Sequence, residues 1–118
     1  MLALDVSSQK ANREADKMEM KYTYTNDAKA AMRQLRKQAK ETGAKPSVWV
    51  DIGFMNTAPI TVNFKQVQQI IDKAVENYNR MKDYEWVQEV SVVYTIEVWS
   101  NHLYFSAKVE CTRNDEEE

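Results

Sequence analysis

Side chains able to do acid–base or nucleophilic chemistry are few in this chain. It holds one histidine, His102, one cysteine, Cys111, and two glycines. Catalysis needs several convergent groups with tuned proton affinities, and a phosphate-cradling loop needs more glycine than this. One cluster is sterically allowed. His102 and Tyr104 alternate onto one face of a strand pattern, and Glu97 falls opposite Tyr104 if Ser100-Asn101 is a hairpin turn. A Glu97, His102 and Tyr104 group is therefore the candidate for enzymatic chemistry. Polar residues at hairpin ends commonly do no more than face solvent, so the expectation is no catalytic residue. Cys111 belongs to the opposite, inward set, where a thiol packs as a small hydrophobe. His102 and Cys111 lie nine residues apart on opposite strand faces without further ligands of their kind, so no metal and no cofactor is expected.

Two other groupings point to binding. Lys29, Arg33, Arg36, Lys37 and Lys40 fall on one side of a helical stretch spanning residues 26–42, with only Asp27 and Glu41 as acids near its ends. Such a stripe can contact phosphates, which supply most sequence-independent affinity for nucleic acid, or it can be a solvated helix face. No helix-turn-helix order accompanies it. The second grouping is aromatic. Trp49 and Met55 on one strand pattern, Val93 and Trp99 on another and Tyr104 on a third all project to the side opposite the core. That is an unusual apolar load for a solvent face. Aromatics on an open sheet can stack single-stranded bases, but the same face carries Glu19, Asp51, Glu89, Glu97 and Glu110 against Lys17, Lys21 and Lys108. Five acids against three bases repel a phosphate backbone, whereas Trp and Tyr with a polar rim suit a protein partner.

These groups need elements to position them. From Val90 to Cys111 every second residue is apolar on either side of Ser100-Asn101, the signature of a long antiparallel hairpin. In that register Val98 meets Leu103, Ile96 meets Phe105, Tyr94 meets Ala107, Val92 meets Val109 and Val90 meets Cys111. A slip of one residue would set apolar against polar throughout. Upstream, Met18, Met20, Tyr22 and Tyr24 alternate with polar residues as a first strand. Thr25, Asn26 and Asp27 offer N-caps for the helix of residues 26–42, and Gly43 offers its left-handed C-cap. The helix's apolar stripe, Ala28, Ala31, Met32, Leu35 and Ala39, is narrow and small, so it packs close. Pro46 bars further helix, and Val48, Val50, Ile52 and Phe54 alternate as the inward side of a second strand. Residues 56–61, broken by Pro59, read as a loop. Asn63 with Gln66 forms an Asn variant of the capping box, opening a second helix with a broad apolar face through Met81.

The pattern β-α-β-α-β-β predicts an α+β two-layer sandwich: a mixed sheet of about four strands, two helices on one face, and a C-terminal hairpin. A right-handed crossover would set the first two strands parallel. At 118 residues, with 43% hydrophobic and 29% charged, the chain fits one domain with its own core. The organisation expected is a weakly patterned N-terminal arm over residues 1–16, with Leu2, Leu4 and Val6 as a docked arm or short strand. The domain follows over 17–112, and an acidic disordered tail over 113–118. The absence of a secretory signal pattern and the lone cysteine favour a reducing, cytoplasmic setting without a membrane span. The leading expectation is a non-enzymatic interaction, inhibitor or accessory protein that self-associates as a homodimer or binds another protein through Trp49, Met55, Val93, Trp99 and Tyr104. Nucleic-acid binding through the basic helix is the alternative, and a small enzyme the third.

Overall fold

The computed structural model describes residues 17–114, and the arm and the end of the tail lie outside them. Its elements are β1 (Met18–Thr25), α1 (Ala28–Thr42), β2 (Pro46–Gly53), β3 (Asn56–Thr61), α2 (Phe64–Met81), β4 (Val87–Trp99) and β5 (Leu103–Arg113). The strands form one mixed sheet in the order β1-β4-β5-β2-β3. The α+β class holds, with one strand more than the sequence pattern suggests.

The extra strand is β3, the segment read as a loop. Its residues are nearly all exposed, and Pro59 sits opposite Trp49 in an antiparallel ladder with β2. An edge strand tolerates proline because alternate N–H groups face away from the neighbouring strand. With neither face buried, β3 has no apolar alternation to betray it.

The β4–β5 hairpin adopts the expected register, from Val98 opposite Leu103 through Val90 opposite Cys111. Trp99 N donates to His102 O at 2.8 Å, closing the chain around Ser100 and Asn101. Beyond Glu89 the register shifts by a bulge, and β5 continues through Arg113 opposite Val87. Asn114 is tied down as well: its N–H donates to Trp86 O at 2.9 Å. The ordered ladder thus runs past residue 112.

β1 pairs antiparallel with β4, and β2 pairs parallel with β5. β1 and β2 consequently point the same way, as the crossover requires, but β4 and β5 stand between them. A bulge between Met18 and Met20 places Met18 opposite Trp99 and returns Met20, Tyr22 and Tyr24 to the register facing Val98, Ile96 and Tyr94. Met18 therefore leaves the inward set to which strict alternation assigns it.

Both helices cover the face carrying Val92, Tyr94, Ile96, Val98, Leu103 and Phe105, all buried. Ala31 and Leu35 of α1 and Val67, Ile71 and Ala74 of α2 complete that core. The small residues of α1 permit the close approach their stripe implies, and burying Leu35 alone is worth about 2 kcal/mol. Asp27 is the N-cap of α1, its side chain accepting from Ala30 N at 3.1 Å, and Gly43 ends the helix at φ 75°. α2 opens on the full capping box between Asn63 and Gln66.

Alternation misleads in the second half of β2. Val48 is 7% exposed, but Ile52 is 62% and Phe54 99% exposed. The β2–β3 hairpin pairs with β5 only at Pro46–Leu103 and Ser47–Tyr104, then diverges and overruns the core. Ile52 and Phe54 have the right spacing for an inward face with nothing beneath it.

Candidate functional site

Where β2 touches β5, the outer sheet face gathers aromatic rings around Tyr104. Its ring centroid lies 5.4 Å from that of Trp49, 6.2 Å from Trp99 edge-on, and 5.7 Å from His102 in a stacked pair. The register explains the gathering. Glu97 and Tyr104 are cross-strand partners, Trp99 and His102 flank the turn, and the parallel Ser47–Tyr104 pair brings Trp49 within reach. Each ring pair of this kind contributes about 0.5–1.5 kcal/mol beyond area burial, so the cluster is a rigid platform. Trp49 remains 53% exposed, and Trp99 and Tyr104 are half-buried.

Glu97 lies within the cluster, accepting from Trp99 Nε1 at 3.2 Å. Glu97, His102 and Tyr104 do share one face, as their spacing requires. The Glu97 carboxylate is engaged by an indole N–H, an arrangement that orients a tryptophan. Among the described residues, no group of three or more His, Cys, Asp or Glu side chains converges as a metal site would require. Cys111 is half-buried on β5 opposite Val90.

Two sequence-selected residues stand apart from the platform. Val93 lies on β4 opposite Lys108, well along the strand from Trp99. Met55 is not on β2 at all: it occupies the turn after Gly53, 99% exposed at φ 62°. Beside it Phe54, equally exposed at φ 53°, is an apolar residue the inward alternation disguised. Its signal was Gly53, at φ 108°, which marks the end of the strand before Phe54 is reached.

The outer face carries mixed charge. Lys21 is opposite Glu97, and Lys108 and Glu110 sit opposite Val93 and Ser91. On the helix layer, Lys29, Arg33, Arg36, Lys37 and Lys40 are all exposed, and none forms an ion pair with another described residue. Arg36 is partly engaged, its guanidinium 4.4 Å from the centroid of the Phe64 ring, which braces α1 against the start of α2.

The divergence of β2 from β5 opens a cleft of about 540 Å³ between Trp49 and Val50 on one wall and Phe105, Ser106 and Ala107 on the other. It reaches Glu97 and Tyr104 but not His102. No described helix is long and apolar enough to cross a membrane. Comparison with protein-family models, curated proteins and solved structures finds no match to this chain.

Proposed function

We infer that this domain is a non-catalytic protein-binding module, working in a reducing, cytoplasmic setting, whose contact surface is the outer sheet face at Trp49, Trp99 and Tyr104. The partner is another protein chain or a second copy of this one. The observation that carries the reading is the clustering of Trp49, Trp99 and His102 around Tyr104 on the face opposite the helices. Preorganised Trp and Tyr side chains bind at low cost in conformational entropy, and such residues dominate interface hot spots. Mixed charge around the rings supplies the polar rim. Phe54 and Met55, on the projecting turn, form a second apolar contact point on the same hairpin that carries Trp49.

The test is the double variant Trp49→Ala and Trp99→Ala in the full chain, followed by light scattering after size exclusion and by capture of partners. Loss of self-association or of a captured partner, with the circular dichroism unchanged, is the expected result. Unchanged mass and unchanged capture overturn the reading.

A second reading is favoured by the five exposed cations of α1 that lack carboxylate partners among the described residues. Contacts to about five duplex phosphates would give a salt slope near −4.5 in a plot of log affinity against log salt. Replacing all five by Gln should abolish that slope, and absence of any shift at low salt removes this reading.

A further inference from the structure

The turn that ends the β2–β3 hairpin violates its own local preferences. Gly53 and Asn56 pair across it, so Phe54 and Met55 are the two turn residues, and both have positive φ, 53° and 62°. Two-residue turns of this kind select Asn, Asp and Gly, because a Cβ in the left-handed region is strained. Here the positions hold large apolar side chains, each 99% exposed, and the neighbouring Ile52 is 62% exposed. Neither turn chemistry nor the core of the same chain accounts for them. The hairpin is also poorly guarded. Residues 46–61 carry a single charge, Asp51, and the edge strand β3 has none, with only Pro59 to interrupt it. Free edges in stable monomers are normally blocked by charge.

A receptor of matching chemistry lies on the same molecule. Between α2 and β5 runs a groove of about 450 Å³ lined by Ile70, Ala74, Met81, Ala107 and Val109, with Lys73 and Arg80 but no acid in its walls. It adjoins the β2–β5 cleft, sharing Ile70 and Ala107 with it. That cleft is closed where Pro46 meets Leu103 and Ser47 meets Tyr104, and beyond those pairs neither strand bonds the other. The two strands run parallel from the closed end, so the cleft opens toward Gly53 on β2 and Val109 on β5. Along that stretch β5 is paired with β4 on one side, and its other backbone edge faces the opening.

We propose that two copies of this chain exchange hairpins, the tip at residues 52–55 of each seating in the α2–β5 groove of the other. An element can enter only from the open end, and the hairpin tip of each copy projects toward that end. A half-turn about an axis perpendicular to the sheet brings the second copy's tip in from there. The same operation sends the first tip into the second copy, so the contact is isologous and closes at two. This axis keeps the helix layers of both copies on the same side. Ile52, on the inward alternation of β2, therefore turns toward Ile70, Ala74, Ala107 and Val109 of the other copy. Asp51, on the outward alternation, turns toward the face that carries Lys108, which forms no ion pair with another described residue. Covering Ile52, Phe54 and Met55 together with the groove removes on the order of 800 Å² per hairpin, and two hairpins reach about 1,600 Å², the usual size of a stable interface. This contact goes beyond the binding face at Trp49, Trp99 and Tyr104 and leaves Trp99 free for a different protein.

The test is sedimentation of the full chain over a concentration series. The parent should be a dimer, and Phe54→Ser with Met55→Ser should weaken association about tenfold or more. Ile70→Lys should do the same, and so should Asn77→Lys on the more exposed wall of the groove, with circular dichroism unchanged. An equal mixture of the Phe54→Ser, Met55→Ser variant and the Asn77→Lys variant keeps one intact contact of the two, so it should associate more tightly than either variant alone. Trp99→Ala should remain dimeric. In a chain carrying Cys111→Ser, Met55→Cys with Asn77→Cys should be joined between copies by a short bismaleimide. A parent that is monomeric at every concentration overturns the proposal, as does a dimer indifferent to the hairpin and groove variants. A dimer lost in Trp99→Ala but kept in Phe54→Ser, Met55→Ser assigns the contact to the ring face and overturns the exchange alone. Cross-linking only within one copy overturns it in favour of a hairpin that folds back on its own groove.

Discussion

Asn26 joins the corner between β1 and α1 to the hairpin, and replacing it separates two physical effects. Its side-chain oxygen accepts from Val92 N at 2.8 Å, its own N–H donates to Val92 O at 2.8 Å, and its φ is 60°. The sequence offers it as a helix cap. The structure gives the cap to Asp27 and uses Asn26 as a bolt between elements 66 residues apart. Asn26→Ala removes the acceptor and leaves a part-buried amide unsatisfied, costing about 1–2 kcal/mol. It also puts a Cβ without local compensation into the left-handed region, about 1 kcal/mol more. Asn26→Gly loses the same acceptor without the steric term. The expected order in urea titration is parent, then Gly about 1–2 kcal/mol lower, then Ala about 2–3 kcal/mol lower. For a domain of this size that is a fall in Tm of roughly 8–12 °C for Ala. Alanine no worse than glycine would refute the backbone argument, and changes under 0.5 kcal/mol in both would refute the bolt itself.

Two further outcomes follow from the core and from the projecting turn. Burial pushes the phenol of Tyr94 above its ordinary value of 10.0, so the folded state holds that proton more tightly than the unfolded one. Stability from this source is complete below about pH 10 and is lost as pH rises through the raised value, and Tyr94→Phe should flatten that alkaline decline in denaturant midpoints. Phe54→Ser with Met55→Ser, at positions 99% exposed, should leave the denaturant midpoint within about 0.5 kcal/mol of the parent while lowering any self-association seen by light scattering.

What could be read from sequence follows from where each signal originates. The β4–β5 register is legible because both strands carry one buried face, so a wrong register would misplace Ile96, Val98, Leu103 and Phe105 together. The helix ends are legible because caps are local: Asp27, Gly43, Asn63 and Gln66 act within four residues of themselves. β3 is silent because neither of its faces is buried. Phe54 and Ile52 mislead because periodicity states which side of a strand is apolar but not where the core stops, and here it stops near Val50. Asn26 defeats local reading for a related cause, its partner being on β4. Of the candidate platform, Trp99 and Tyr104 follow from the hairpin alone. The meeting of Trp49 with them needed the parallel β2–β5 pair, which joins strands separated in sequence by β3, α2 and β4.

The observed register also bears on which class of ligand the outer face can take. A phosphate backbone requires cations spaced along a track, each releasing a counterion on contact. Here Lys21 faces Glu97 across the β1–β4 ladder, and the rings nearest that carboxylate are the ones that would have to stack bases. Lys108 is the cation of β5 on this face, and Glu110 follows it two residues on, on the same side. Any strand of nucleic acid laid across Tyr104 would pass from Trp49 to Trp99 beside Glu97 with no continuous line of positive charge. A polypeptide has no such requirement. It needs apolar contact at the rings, hydrogen-bond partners at the rim, and charges of either sign that it can match singly. The cations that could serve phosphates lie instead on α1, on the other layer of the sandwich. Nucleic-acid binding by this chain and ring-centred binding would therefore use opposite faces of the molecule. Substitutions at Trp49 and Trp99 should leave any salt-dependent binding unchanged, and substitutions at Lys29, Arg33, Lys37 and Lys40 should leave the ring-centred contact intact.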